Sequence, residues 1–335
     1  MNILFTCAGR RTYLLEYFRL QLDPGDKIVA TDANITAPAL TAADFAIEVP
    51  PVYASDYIDE LLEICIKFDI KGIIPLNDLE LPILSANIER FKERGIIPII
   101  SNQDVIDISF DKFKTANFIE KIGLKSPKTF TRPEEAENAL KNGDIAFPLL
   151  LKPRWGSGSI GIEIVSDLEE LRFIYKRLMK KVKKSILAKA SIGDNFILIQ
   201  EVIDGQEYGV DIMNDFDGKN RGVSVKKKLS MRAGETDKAM TVDKPEIVAI
   251  AKKIAKELRH IGNLDVDIFE KNGEYYVLEL NPRFGGGFPF SFEAGANFPK
   301  AIVEWLKGNE IDDSILVPTT GLTFAKCDRV LSVRN

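Results

Sequence analysis

The chain has 335 residues, enough for two or three domains that each bury a core. Its hydrophobic content of 45% and charged content of 28% are those of an ordinary globular protein, and a net charge of −5 argues against a dedicated nucleic-acid binder. No apolar run reaches membrane-spanning length, no signal-peptide pattern precedes the first strand, and Cys7, Cys65 and Cys327 form neither a zinc pattern nor a disulfide framework, so a reducing cytoplasm is expected.

Residues 1–100 alternate short apolar strands (Ile3–Thr6, Lys27–Thr31, Phe45–Val49, Gly72–Leu76, Ile96–Ile100) with helical periods (Arg11–Leu22, Tyr57–Phe68, Ile83–Arg94). That alternation predicts a Rossmann-like parallel sheet of α/β class. The loop Cys7-Ala8-Gly9-Arg10-Arg11 has one glycine only, so a dinucleotide site is weakly supported, and Asp32 reads as a turn residue at least as well as a ribose ligand. Loops at the carboxyl ends of parallel strands face a cleft. Arg10 and Arg11, and Asn77, Asp78 and Glu80 after a later strand, are therefore candidate substrate residues, with ordinary solvated loop charge as the alternative.

Residues 101–187 form a second unit. Asp104–Ile122 reads as one helix or two, with Lys112 inside it. A strand at Lys128–Thr131 and a helix from Pro133, capped near Thr131 or Arg132, follow. The apolar strand Phe147–Lys152 ends on a lysine, where an ammonium needs an anion and phosphate is the natural one. Next comes a glycine-serine loop, with Gly156, Ser157, Gly158, Ser159 and Gly161, whose backbone N–H groups can approach phosphate oxygens. It is not a Walker A loop, and a turn requiring positive φ is the alternative. A strand Ile162–Val165 and a helix capped by Ser166 and running to Lys184 complete the unit, and the lysines of Lys176–Lys184 form a solvated face.

In residues 188–310, strands Phe196–Ile203 and Glu207–Met213 flank a turn. The backbone at Glu201 and Val202 could meet an adenine edge and Glu207 both ribose hydroxyls, with an edge strand bearing surface acids as the alternative. A strand at Gly222–Lys228 precedes a polar loop, Met231–Ala239, whose Arg232 and Glu235 are further substrate candidates. The helix Pro245–Ile261 carries the single histidine, His260, which excludes most multi-histidine metal sites and reads as a helix-end or partly buried residue.

The hairpin that follows is the most informative segment. Asp265 and Asp267 lie on one strand, and Glu279 and Asn281 on the next, two residues apart and so on one face. Their oxygens suit a hard cation such as Mg²⁺, and Arg283 with three following glycines suits phosphate. If Leu264, Val266, Ile268, Tyr276, Leu278 and Leu280 share the buried face, even positions pair with even. A two-residue Asn272-Gly273 turn breaks that register, so a longer loop or a bulge is expected. A helix Phe298–Leu306 and a tail, 311–335, with a short strand at Gly321–Ala325 end the chain.

Lys112, Lys152 with its glycine-rich loop, Glu201-Val202-Ile203 with Glu207, and Asp267…Glu279-Leu280-Asn281-Pro282-Arg283 follow in an order that resembles the ATP-grasp superfamily, over about residues 101–310. The likeness is greatest to single-copy relatives of the carbamoyl-phosphate synthase large subunit. It implies an ATP-grasp fold of two α+β subdomains (101–187 and 188–310) behind the Rossmann-like domain. Lys112 and Lys152 would contact the α- and β-phosphates, and Gly156–Gly161 would form a lid. Glu201 and Val202 would hold adenine and Glu207 ribose. Asp267, Glu279 and Asn281 would bind Mg²⁺, two ions with Mn²⁺ as a substitute, and Arg283 would stabilise the transferring γ-phosphoryl group. The chain departs from that synthase in having one grasp half and no ammonia-generating domain, which argues against carbamoyl phosphate as product, and in carrying Asp267 where the first half of that synthase uses glutamine, so that Asp265 is an alternative ligand. The activity implied is an ATP-dependent carboxylate–amine ligase acting through an acyl phosphate. Phosphotransfer to another acceptor, a non-catalytic nucleotide-binding subunit and a nicotinamide enzyme are the rivals. Small-molecule carboxylate and amine substrates, no nucleic acid, no membrane and a homodimer are the expected partners.

Overall fold

The computed structural model describes residues 1–156, 161–190 and 195–333. The first hundred residues fold as β1 (Asn2–Thr6), α1 (Thr12–Arg19), β2 (Ile28–Asp32), β3 (Phe45–Glu48), α2 (Tyr57–Lys67), β4 (Ile70–Pro75), α3 (Leu81–Ser85), α4 (Ile88–Lys92) and β5 (Ile97–Pro98). The strands pair in parallel in the order β3-β2-β1-β4-β5. The order reverses between β1 and β4, which opens a crevice at their carboxyl ends, where Cys7–Arg11 and Asn77–Glu80 lie. Alternate residues serve two cores: Ile3 and Phe5 pack with Phe18 of α1, whereas Leu4 packs with Leu61 and Tyr57 of α2.

The next segment contains α5 (Gln103–Phe110), α6 (Lys112–Lys121), β6 (Thr129–Phe130), α7 (Pro133–Lys141), β7 (Leu149–Pro153), β8 (Glu163–Val165), α8 (Leu168–Lys183), α9 (Leu187–Ala190) and β9 (Ile197–Glu201). Their strands form a small antiparallel sheet, β6-β9-β7-β8, with its own core around Leu149, Leu151, Trp155, Leu171 and Ile199. Then come β10 (Gln206–Asn214), β11 (Asn220–Arg232), β12 (Glu235–Thr241), α10 (Pro245–Leu258), β13 (Gly262–Lys271), β14 (Glu274–Asn281), α11 (Phe288–Glu293), α12 (Phe298–Leu306) and β15 (Thr323–Ala325). These strands build an antiparallel sheet in the order β14-β13-β10-β11-β12-β15. One face buries Val210, Ile212, Val225, Leu264 and Val266 against the apolar stripe of α10 (Ile247, Ala251, Ile254). The opposite face is polar and looks into the cleft.

After β14 the chain returns to the first sheet. Phe284, Phe288 and Phe298 join the cluster of Phe5 and Phe18, and Gly72 on β4 leaves the space that Leu306 of α12 fills, since a Cβ there would come within 2.7 Å of Leu306 Cδ1. No helix of the described residues is long and apolar enough to cross a membrane.

One sequence alternative is resolved, and three expectations need correction. Asp104–Ile122 is two helices, because Asp111 is extended and caps the second by accepting from Phe113 N at 3.0 Å. Ile83–Arg94 is split likewise into α3 and α4, with Asn87 turned back to bond Ile83 O at 2.9 Å. The cap of α8 is Asp167, which accepts from Glu170 N at 2.9 Å, and not Ser166. Met231–Ala239 is no loop: Ala233 (φ 50°) and Gly234 (φ 79°) make a tight turn, and β12 follows as a polar strand.

Candidate active site

The β13–β14 hairpin closes on Asn272 (φ 53°) and Gly273 (φ 78°), the backbone sign of a two-residue turn, with Lys271 opposite Glu274. That register holds up to Ile268 opposite Val277. It then shifts by one residue, leaving Leu278 as a bulge, so that Asp267 faces Glu279 and Asp265 faces Asn281. The tight turn and the bulge therefore coexist. Val277 and Leu280 reach the core, whereas Tyr276 and Leu278, expected on the buried face, are only half-buried.

On the polar face of the sheet, β10 sets Glu207, Gly209 and Asp211 beside β13, with Asp267 opposite Gly209 and Asp265 opposite Asp211. Lys226 on β11 pairs with Asp211 and lies 2.9 Å from Ser291 Oγ, fully buried. Lys228 Nζ is 2.6 Å from both Glu207 Oε1 and Asp267 Oδ1. Burial opposes its charge, but those two carboxylates outweigh it and raise its pKa. The sequence reading missed these lysines and Asp211. The signal was present in the alternation Ser224, Lys226, Lys228, which puts all three on the face away from Val223 and Val225.

Burial pushes the Asp267 carboxyl up to about 7; Lys228 draws it down, while Asp265, Glu279 and Glu207 push it further up. Burial also opposes the charge of Glu279, yet Lys112 and Lys152 overcome it and hold that carboxyl below its usual range. Lys152, at the end of β7 and 5% exposed, is pushed down to about 8 by burial, with Glu279 resisting and Lys112 reinforcing. Lys112 opens α6 and its ammonium donates to Gly156 O. Arg154 grips Asp111 with two bonds of 2.7 Å, which fixes the start of the glycine-rich loop to the N-terminus of α6. Gly156 (φ 94°) and Gly161 (φ 74°) bound that loop with positive φ; Ser157, Gly158 and Ser159 lie outside the described residues.

Arg283 is 8% exposed and held by Asp78 Oδ2 at 2.9 Å and Asp265 Oδ2 at 3.1 Å. Asp265 is therefore the partner of Arg283, which leaves Asp267 as the carboxylate opposite Glu279. Asn263 supports the backbone of Arg283 from behind, 3.3 Å from its carbonyl and 3.3 Å from Asp211 Oδ1.

Glu201 ends β9, an interior strand between β6 and β7, so the edge-strand alternative fails. Its N–H donates to Lys128 O at 2.9 Å and is not available to a ligand; Val202 follows just past the strand. The substrate candidates divide. Glu235 pairs with Lys326 at 3.1 Å; burial opposes its charge, but Lys326, Arg11 and Arg10 hold its carboxyl below the usual range, so these residues share one neighbourhood. Arg232 is turned to Asp328 (2.8 Å) and Asp237 (3.1 Å). Asn77 caps its own loop by accepting from Leu79 N at 2.9 Å. Glu80 does not face the cleft: it is fully buried, bonded to Tyr57 Oη, and burial pushes it up to about 7.

Among the described residues no three His, Cys, Asp or Glu side chains form a group that could by itself hold a metal ion. Mg²⁺ needs none, since one or two carboxylates plus substrate phosphates usually hold it. Asp267 and Glu279 with the amide of Asn281 supply hard oxygens of that kind, and the mutual repulsion among the acids favours a cation.

A family model described as the PylC-like N-terminal domain matches residues 3–100, and one described as ATP-grasp in the biosynthetic pathway with Ter operon matches residues 194–329. The carbamoyl phosphate synthase large chain of Clostridium beijerinckii is 26% identical over 270 residues, covering 76% of this chain and 23% of that relative. The chain thus spans about a quarter of the length of the curated relatives it matches. The biotin carboxylase domain of Hydrogenobacter thermophilus 2-oxoglutarate carboxylase, solved with MgADP and bicarbonate, has a similar fold (TM-score 0.74, 21% identity, 92% of this chain and 70% of that one). So does the L-amino acid ligase from Bacillus licheniformis (TM-score 0.66, 19% identity, 91% and 74%).

Proposed function

We propose that this chain, whose residues 194–329 match an ATP-grasp family model, is an ATP- and Mg²⁺-dependent ligase joining a small carboxylate to an amine. The observation that carries this is Glu279: a half-buried carboxylate held ionised by Lys112 and Lys152 while it faces Asp267 across the hairpin. Cations for phosphate and acids for metal meet at one residue, and phosphoryl transfer needs little beyond positioning and charge neutralisation.

In this scheme Val202 borders the adenine, Glu207 takes the ribose hydroxyls, and Lys112 and Lys152 neutralise the α- and β-phosphates under the loop from Gly156 to Gly161. Asp267, Glu279 and Asn281 hold Mg²⁺, two ions in the fullest form, which would neutralise the phosphate oxygens. Arg283 stabilises charge on the γ-phosphoryl group. A substrate carboxylate oxygen attacks the γ-phosphorus, the bond to the β,γ-bridging oxygen breaks, and ADP leaves. The amine then attacks the acyl carbon, phosphate departs with the bonding pair, and the nitrogen loses a proton to give the amide. Arg10, Arg11 and Glu235 are the substrate-facing charges that cluster together, and Arg232 stands at their rim.

The test is incubation of the purified protein with ATP, Mg²⁺ and pooled small carboxylates and amines, read by mass spectrometry. ADP with a new amide mass is expected. AMP would sink the acyl-phosphate route, and ADP with a phosphorylated product lacking an amide would replace ligation by phosphotransfer.

A further inference from the structure

Lys228 stands where the carboxylates of the cleft converge, and the scheme above gives it no task. Its Nζ is 2.6 Å from Glu207 Oε1 and 2.6 Å from Asp267 Oδ1, on a side chain only 8% exposed. It reaches both because Gly209, on the strand between, has no side chain; a Cβ there would lie 3.3 Å from Lys228 Cε. Asp267 also faces Glu279 across the hairpin and shares its side of β13 with Asp265. Lys228 thus offsets the charge of several acids crowded into a poorly hydrated place.

The two acids it bridges are those assigned above to ribose and metal, and an ammonium and a divalent cation repel each other at one carboxylate. A bare cation that took Asp267 would leave the buried ammonium with Glu207 alone and set two positive charges side by side. A nucleotide removes that cost, because its ribose claims Glu207 and its phosphates offer Lys228 a new partner. We propose that Lys228 is the resident counter-ion of the metal site: it holds Asp267 and Glu207 until a metal–nucleotide complex displaces it, so that the divalent ion enters with the nucleotide and not before. The inference rests on the assignment of Asp267 and Glu279 as metal ligands.

Mn²⁺ binding to the nucleotide-free protein, followed by the loss of the free-ion electron paramagnetic resonance signal, tests it. Lys228→Met is expected to bind Mn²⁺ about tenfold or more tightly than the wild type. Lys228→Gln, which keeps a donor in the same space, should move in the same direction and guards against misfolding of the first variant; circular dichroism reports whether each is folded. Folded variants that bind Mn²⁺ no better than wild type overturn the proposal, as does a wild type that already binds it tightly without nucleotide. Calorimetric titration of ADP with and without Mn²⁺ separates the two levels. If Mn²⁺ strengthens ADP binding to wild type but not to Glu279→Gln, the metal assignment stands and a flat Lys228 result removes only the counter-ion role. If Mn²⁺ does not strengthen ADP binding to wild type, both fall.

Discussion

Two residues carry single-site predictions of opposite kinds. Glu279→Gln keeps the shape of the side chain but removes the charge that Lys112 and Lys152 sustain. It should cut Mg²⁺-dependent turnover by about a hundredfold or more, in line with the loss of one electrostatic element from such a site; near-normal rates would remove Glu279 from the metal. His260, read from sequence as a helix-end or partly buried residue, lies just past α10 and is fully buried. Its Nε2–H donates to Ile212 O at 3.2 Å and its Nδ1 accepts from Asn214 Nδ2 at 3.3 Å, the tautomer this pair of partners requires. Burial lowers its pKa from 6.5 to about 4. The unfolded chain therefore takes up a proton below pH 6.5 that the folded chain refuses, and stability falls as the pH drops from 6.5 towards 4, by about 3 kcal/mol in all. Urea unfolding of wild type and His260→Gln at pH 7 and pH 5 checks this. The wild type should lose more stability than the variant between the two values, and equal losses would refute the neutral buried imidazole.

At the level of elements, the hairpin shows what sequence can and cannot specify. The apolar pattern and the Asn272-Gly273 turn were in conflict, and the conflict itself announced an irregularity. The structure resolves it by keeping the turn and inserting Leu278 as an extra residue on β14, while β13 keeps an unbroken register with β10. Removing Leu278 leaves Asp267 opposite Glu279 and restores strict alternation. The deletion should therefore fold and keep metal-dependent ADP binding, measured by calorimetry; loss of that binding would mean that the bulge aims Glu279. The polar strand β12 was illegible for another reason. It belongs to the sheet only through β11 and β15, so its own residues needed no apolar run. Lys112 begins α6, Lys152 and Glu279 lie near the ends of β7 and β14, and Arg283 lies just beyond β14, so spacing marked them as candidates, whereas Lys228 hid in a run of lysines that resembles a solvated surface.

On the scale of the whole molecule, the first sheet and the last two helices share one core. Phe5 and Phe18 pack with Phe284, Phe288 and Phe298, and Arg283 reaches Asp78 across the same junction. Residues 101–333 expressed without the first hundred should accordingly lack cooperative thermal unfolding and expose apolar surface to dye; a sharp melting transition would show that the two parts fold independently. The small sheet β6-β9-β7-β8 is the opposite case. It has its own core, and the chain crosses into it at Lys128 and out of it at Glu201, two residues whose backbones are hydrogen-bonded to each other. Arg154, just past β7 of this sheet, grips Asp111 at the start of α6, so a bidentate ion pair between the two parts holds Gly156 and Glu279 against one shared cavity.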